Sequence, residues 1–301
     1  MNKLIFLATI TGVANANFAL DYLNSLRSKS GANYLKYNSI LEKAAYKHAK
    51  YLALNQELEH FESPSKRAFY GVYPWDRTIK AGYSTKVVVE NLSFYEKNFK
   101  KSIDKLMGTI YHRLAFLDFR VDNIGFAKYK SRYVYEMSNS KIASICKKNS
   151  SSANFGVENL CKDRKEILEQ KTYNRAILST LAKSKKISIY PYRNQKNVPL
   201  KLVEERPKFL YGRGYGFGIT ARFNNYYVNS VSLRSFKLYK GNQEVKSKIV
   251  TFSNDIQNKL DKFTFVLVPT SSLKPKTTYK VVLKVKENQK PKTYSWRFTT
   301  K

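Results

Sequence analysis

Apolar positions change their spacing along the chain, and the change predicts two kinds of structure. Over residues 19–27, Leu20, Leu23 and Leu26 recur at helical spacing, and Gly31 stands where such a helix would stop. Leu41, Ala44, Ala45, His48 and Leu52 fall on one face of a second helix, with Ser39 and Glu42 in a capping-box pattern at its start. His48 sits on that buried stripe, where a hydrogen-bonded packing role is expected in place of a ligand role. The chain then turns irregular through Pro64, Gly71 and Pro74, before Val87, Val88 and Val89 predict a short buried strand leading into Glu90. From Lys101 a further helix is expected with Ile103, Leu106, Met107, Ile110 and Leu114 on its apolar face, which turns His112 to the other side. Residues 121–129 and 132–137 read as strands, so the first half predicts an α/β layered fold.

Beyond Lys183 the period shortens to that of strands. Residues 187–190, 218–223, 232–239, 248–252, 264–268, 278–285 and 294–299 are short strand patterns separated by turn residues, which predicts an all-β sandwich. Gly212, Gly214, Gly216 and Gly218 resemble a phosphate-binding loop in spacing alone. They lead into the strand pattern of residues 219–223, whereas a phosphate cradle must open a helix, so a turn and strand are expected. Residues 138–186, with a helical pattern over 164–181, are expected to connect the halves.

The ends and the charge add a compartment and a class of partner. Residues 1–16 carry Lys3, an apolar run from Leu4 to Val13 and small residues at Ala14 and Ala16, the pattern of a secretory signal peptide cleaved after Ala16. Asn17 would then come first, with no cysteine there for lipid attachment, so a free exported protein is expected. No later stretch approaches the roughly 18 apolar residues of a membrane span. Lys and Arg number 55 against 22 Asp and Glu, a net charge of +33, which attracts anionic partners at low salt. The lysines are spread along the chain and do not cluster beside stacking aromatics, which argues against a nucleic-acid groove. Cys146 and Cys161, the only cysteines, are expected to pair in an oxidising compartment. Closing a loop of ~15 residues is worth about 3 kcal/mol in chain entropy.

Candidate chemistry is confined to residues 60–112, which hold His60 and His112 with Asp76 and Glu90 between them. No nucleophile-elbow, zinc-protease or phosphate-loop motif occurs elsewhere. Read in order, Asn24 and Arg27, Leu41, Ala44, Ala45 and His48, then His60, then Glu90-Asn91-Leu92-Ser93, Met107, Tyr111-His112-Arg113 and Ile124-Gly125-Phe126 resemble the secreted CAP superfamily over about residues 19–137. That superfamily unites cysteine-rich secretory proteins, antigen 5 and plant pathogenesis-related proteins. The resemblance implies an α-β-α sandwich whose cleft is lined by two histidines and two acids, which in some members hold a divalent metal. His60 and His112 match the histidines and Glu90 the first acid. The second acid departs from the animal and plant pattern, because Gly108 or Thr109 stands where a helical glutamate is expected. Asp76 is the substitute that bacterial members suggest, and Asp104 a poorer one. His60, Glu90 and His112 would suffice for zinc or another divalent ion with water in the open position; the same residues could equally form a structural hydrogen-bond cluster.

Leu273, Pro275, Thr277 and Tyr279, followed by Trp296, Phe298, Thr299 and Thr300, resemble bacterial immunoglobulin-like domains, with Tyr279 as a corner tyrosine. The expected layout is a signal peptide over residues 1–16, a CAP-like α-β-α sandwich over 17–137, a disulfide-bearing connector over 138–186 and an immunoglobulin-like β-sandwich over 187–301. The expected function is a binding module, exported to the periplasm or the medium, for an anionic envelope component, lipid, glycan or protein. The alternative is a metal-dependent hydrolase of peptide or envelope polymer, with Glu90 as base or ligand.

Overall fold

The computed structural model describes residues 7–147, 156–163 and 167–301, with side chains from Phe18 onward. The predicted signal segment thus begins outside the described residues. None of the described helices is long and apolar enough to cross a membrane. The chain divides into two compact units: Met1–Ser28, Asn33–Asp104 and Arg120–Thr180 form the first, and Lys29–Ala32, Lys105–Phe119 and Leu181–Lys301 the second.

In chain order the elements begin α1 (Leu7–Ser30), β1 (Lys36–Tyr37), α2 (Ser39–Asn55), α3 (Pro74–Ala81), β2 (Val88–Phe94), α4 (Phe99–Gly108), α5 (Tyr111–Phe116), β3 (Asn123–Tyr129), β4 (Arg132–Ser138), α6 (Ser140–Lys147) and α7 (Gln170–Leu181). The first unit is built on a sheet of order β1-β3-β4-β2, in which β1 runs parallel to β3 and the other pairs are antiparallel. Helix α2 lies across β3 and β4, burying Leu41, Ala44, Ala45, His48, Ala49, Tyr51 and Leu52. The approach is closest at Gly125, where a Cβ would stand 1.9 Å from the backbone nitrogen of Glu42, so no side chain fits.

Several local expectations are corrected. The cap of α2 is Asn38, whose side-chain oxygen accepts from the backbone N–H groups of Ile40 and Leu41 at 3.0 Å. Glu42 does not reach back to Ser39 but takes the hydroxyl of Tyr37 at 2.5 Å. Strand β2 continues to Phe94, because its ladder with β4 runs from Val88 opposite Ser138 to Phe94 opposite Arg132, so Glu90 lies within the strand and not after it. The single helix expected from Lys101 to Leu114 is interrupted between Gly108 and Tyr111. There the backbone N–H groups of Ile110 and Tyr111 donate to the carboxylate of Glu205 at 2.8 and 2.9 Å, replacing the i−4 carbonyls a continuous helix would use.

Cys146 and Cys161 are bonded, and with Ile142 and Ala176 they form a small buried cluster beside Val87, Ile145, Tyr173 and Ile177. The described residues between 138 and 180 therefore belong to the first unit. The helix expected over residues 164–181 is described from Gln170; residues 164–166 lie outside the described ones.

The second unit continues with β5 (Ile187–Tyr190), β6 (Gln195–Val198), β7 (Ile219–Phe223), β8 (Val231–Lys240), β9 (Gln243–Glu244), β10 (Ser247–Thr251), β11 (Thr264–Pro269), β12 (Thr278–Glu287) and β13 (Lys290–Thr300). They form two sheets, β10-β11-β7-β5 and β6-β13-β12-β8-β9, antiparallel except for the β6·β13 pair, with β8 touching β10 and β11 of the other sheet. Along β12, Tyr279, Val281, Leu283 and Val285 point inward and alternate with outward residues, as a half-buried strand requires. The hydroxyl of Tyr279 accepts the backbone N–H of Lys274 at 2.9 Å, tying the preceding turn to the sheet. The glycine-rich stretch leads into β7, as its strand pattern predicts. Strands β6 and β9 were not expected, since neither Gln195–Val198 nor Gln243–Glu244 carries an apolar alternation; both are edge strands fixed by their neighbours.

Candidate functional site

In the first unit, the register of β2 on β4 sets Glu90 directly opposite Glu136. Helix α3 brings Arg77 to them, α2 brings His48, and the segment between α2 and α3 brings His60 and Glu62. Arg77 holds the group together. Its guanidinium donates to Glu90 Oε2 at 2.7 Å, to the carbonyls of Gly71 and Val72 at 3.2 Å and to the carbonyl of His60 at 3.1 Å. Its Nε lies 3.8 Å from Glu62 Oε1. Glu62 in turn takes His48 Nδ1 at 2.8 Å and the backbone N–H of Tyr70 at 2.6 Å. His60 Nδ1 is 2.7 Å from Glu90 Oε1.

The charges do not balance pairwise, since three buried carboxyls face one guanidinium. Burial alone would push the Glu90 carboxyl up, but Arg77, His48 and His60 outweigh it and hold the group well below the usual carboxylate range. Glu136 shows the opposite result. Burial first, and then the negative charge of Glu90, push its carboxyl well above the ordinary value. Both Glu136 oxygens, Arg77 Nε and His48 Nε2 are buried without a hydrogen-bond partner. Because Glu90 is an anionic acceptor, His60 presents Nδ1–H to it and keeps Nε2 for other partners.

His60 is where this network meets solvent: its side chain is 38% exposed, against 2% for Glu90. Beside it Phe61, Tyr73 and Trp75 are 55%, 41% and 37% exposed. Tyr73 and Trp75 stack at 4.6 Å, and Phe61 meets Tyr73 edge-on at 5.4 Å, making an aromatic ledge.

The model of the cysteine-rich secretory protein family, CAP, matches residues 20–147. That match covers less than half of the chain. Among solved structures, an extracellular protein of Bacillus anthracis strain Ames containing an SCP domain is 19% identical, over 40% of this chain and 39% of that one, with a TM-score of 0.37. The chain thus spans well under half of that protein. An outer surface protein of Borrelia burgdorferi is 21% identical, over 42% of this chain and 92% of that one, also with a TM-score of 0.37. No curated protein matches.

Of the expected cleft residues, the first unit brings His60 and Glu90 together. Asp76 serves α3 instead, accepting the backbone N–H of Tyr73 at 3.1 Å in the helix's first turn. Asp104 is engaged by Tyr22 and Lys100. His112 belongs to the second unit, where its Nδ1 lies 3.1 Å from Glu205 Oε2 and 3.2 Å from Thr109 Oγ1. Both Glu90 oxygens are taken, one by a cation that would repel a metal ion. Among the described residues no group of three or more His, Cys, Asp or Glu side chains is arranged to hold one. With Arg77 on one oxygen and His60 on the other, the Glu90 carboxylate as it stands offers a divalent cation no free oxygen. Sequence reasoning missed Glu62, Arg77, Glu136 and Glu205, and it placed His48 on the buried face without joining it to Glu90, 3.9 Å away. Glu136 left a signal, a lone carboxylate amid Tyr133, Val134, Tyr135 and Met137 in a buried strand.

Proposed function

We propose that the protein is an exported binding module of the cell envelope or the medium, whose CAP domain takes its ligand against His60 and the ledge of Phe61, Tyr73 and Trp75. One juxtaposition carries this reading: an exposed imidazole, oriented by a buried carboxylate, beside exposed and mutually stacked rings. Aromatic faces bury the apolar side of a ligand, and His60 Nε2 offers it one directional polar contact. Export is inferred from the signal-type start and from the disulfide. The two facing sheets of the second unit are read as an immunoglobulin-like sandwich with Tyr279 as its corner tyrosine, acting as a spacer or support. Mass spectrometry of the protein recovered from its exported fraction tests the reading. A co-purifying ligand should be present in the parent and lost from His60→Ala and Trp75→Ala; equal recovery from all three overturns it.

The hydrolase reading draws on the His60–Glu90 pair, in which an oriented imidazole could act as general base. A divalent ion at His60, Glu90 and His112 would require Glu90 to surrender Arg77 or His60 first. Calorimetric titration with zinc decides. Binding that weakens as pH falls through about 6.5 and disappears in His60→Ala and His112→Ala would support the metal. Silence in the parent leaves His60 and Glu90 as a ligand-orienting pair.

A further inference from the structure

The outer face of the five-stranded sheet in the second unit carries a grid of cations. Register places Lys280 of β12 between Arg297 of β13 and Tyr239 of β8, Val282 between Ser295 and Lys237, and Lys284 between Thr293 and Ser235. Lys280, Lys284 and Arg297 are exposed, as is Lys196 on β6. The strands of this sheet hold two carboxylates. Glu244 pairs with Lys237 at 2.8 Å, and Glu287 is buried, held by Lys186 and Tyr294.

Two observations separate this face from an ordinary solvated one. Lysine on a strand commonly guards a sheet edge, but β12 is paired on both sides and needs no guard. Lys280 and Arg297 are also direct cross-strand partners, a like-charge pairing that destabilises a sheet and that a facing anion would relieve.

We propose that this face docks the protein on an anionic lipid surface. Its cations are distributed over β6, β13, β12 and β8, strands about 4.8 Å apart with outward residues roughly 6.7 Å apart along each, so the charge is spread in two dimensions. A linear polyanion is matched by a one-dimensional track lined with stacking rings, and a planar headgroup layer by a sheet. Thr293, Ser295, Ser235 and Tyr239 stand between the cations as hydroxyl donors to phosphate oxygens.

The test is co-sedimentation of the full chain with vesicles of phosphatidylcholine alone or mixed with phosphatidylglycerol. Lys280→Gln/Lys284→Gln/Arg297→Gln is compared with a control of equal charge change at exposed lysines of the first unit, Lys97→Gln/Lys101→Gln/Lys171→Gln. The parent should bind only the anionic vesicles. At about fivefold per cation near such a surface, the sheet variant should bind roughly a hundredfold more weakly and the control less than tenfold. The sheet variant should also melt no lower than the parent, since a like-charge pair has been removed, which separates lost binding from lost folding. Equal losses in the two variants would reduce the effect to net charge and overturn the proposal. Capture of soluble polyphosphate without binding to anionic vesicles would overturn it in favour of a linear polymer.

Discussion

Arg77 in the first unit and Arg113 in the second are both wholly buried, and they are accommodated in opposite ways. Arg77 sits among carboxylates. Burial works against its charge, but Glu90, Glu136 and Glu62 more than compensate, and its pKa rises above the ordinary value. Arg113 has no carboxylate within its hydrogen bonds. It donates to the carbonyls of Met107 and Gly218, each at 2.7 Å, and lies 4.8 Å from the ring centres of both Tyr190 and Phe217. Burial lowers its pKa to about 10, and the charges of Tyr190 and Glu205, which act the other way, do not make up the loss. The contrast shows what each cation is for. Arg77 neutralises a group of acids that could not otherwise be buried, whereas Arg113 is a rigid packing piece that pins α5 to the β-rich unit.

The sharpest way to break this contrast is Arg77→Met. It leaves Glu90 and Glu62 buried without a cation, and loss of about 3–5 kcal/mol is expected in urea unfolding of the parent and variant. Part of that loss should return in mild acid, where the orphaned carboxylates can take protons. Arg113→Met is expected to cost less, about 1–3 kcal/mol, because it strands two carbonyls and no charge. Its loss should not recover in acid. If Arg113→Met proved the more damaging of the two, or shared the acid recovery, the distinction between the two sites would fail.

Glu136→Gln gives the smallest effect and the finest test. Glu90 has a folded pKa below its ordinary 4.5, so its contribution to stability is present above that value and lost as pH falls through the lower folded one. Glu136 has a folded pKa above its ordinary 4.5; its contribution is full below that value and is lost as pH rises through the higher folded one. Replacing the protonated acid by its amide should shift stability by under about 1 kcal/mol in mild acid. It should also flatten the decline of the parent toward high pH. An unchanged slope above pH 4.5 would mean that Glu136 is already ionised beside Glu90.

Much of the second unit was legible because alternation is a strong signal: the strands carrying Phe265, Val281 and Trp296 could be read from their own residues. Strand β6 could not, since its pairing with β13 is decided by a distant segment. In the first unit His60 and Glu90 were readable through the ordered motifs of the CAP resemblance. The rest of the network was hidden because Arg77, Glu62 and Glu136 come from three separate segments and meet only when β2 pairs with β4. The break before α5 was equally invisible, as its cause, Glu205, lies far along the chain.

The bond between Cys146 and Cys161 has a consequence for how the protein breaks. Any single cleavage of the chain between those residues leaves two pieces of similar mass that remain joined. A protease cutting there would produce no change on a non-reducing gel and a matched doublet once thiol is added. The nicked molecule would keep both pieces through purification, and its age in a protease-rich surrounding could be read from the ratio of doublet to parent band.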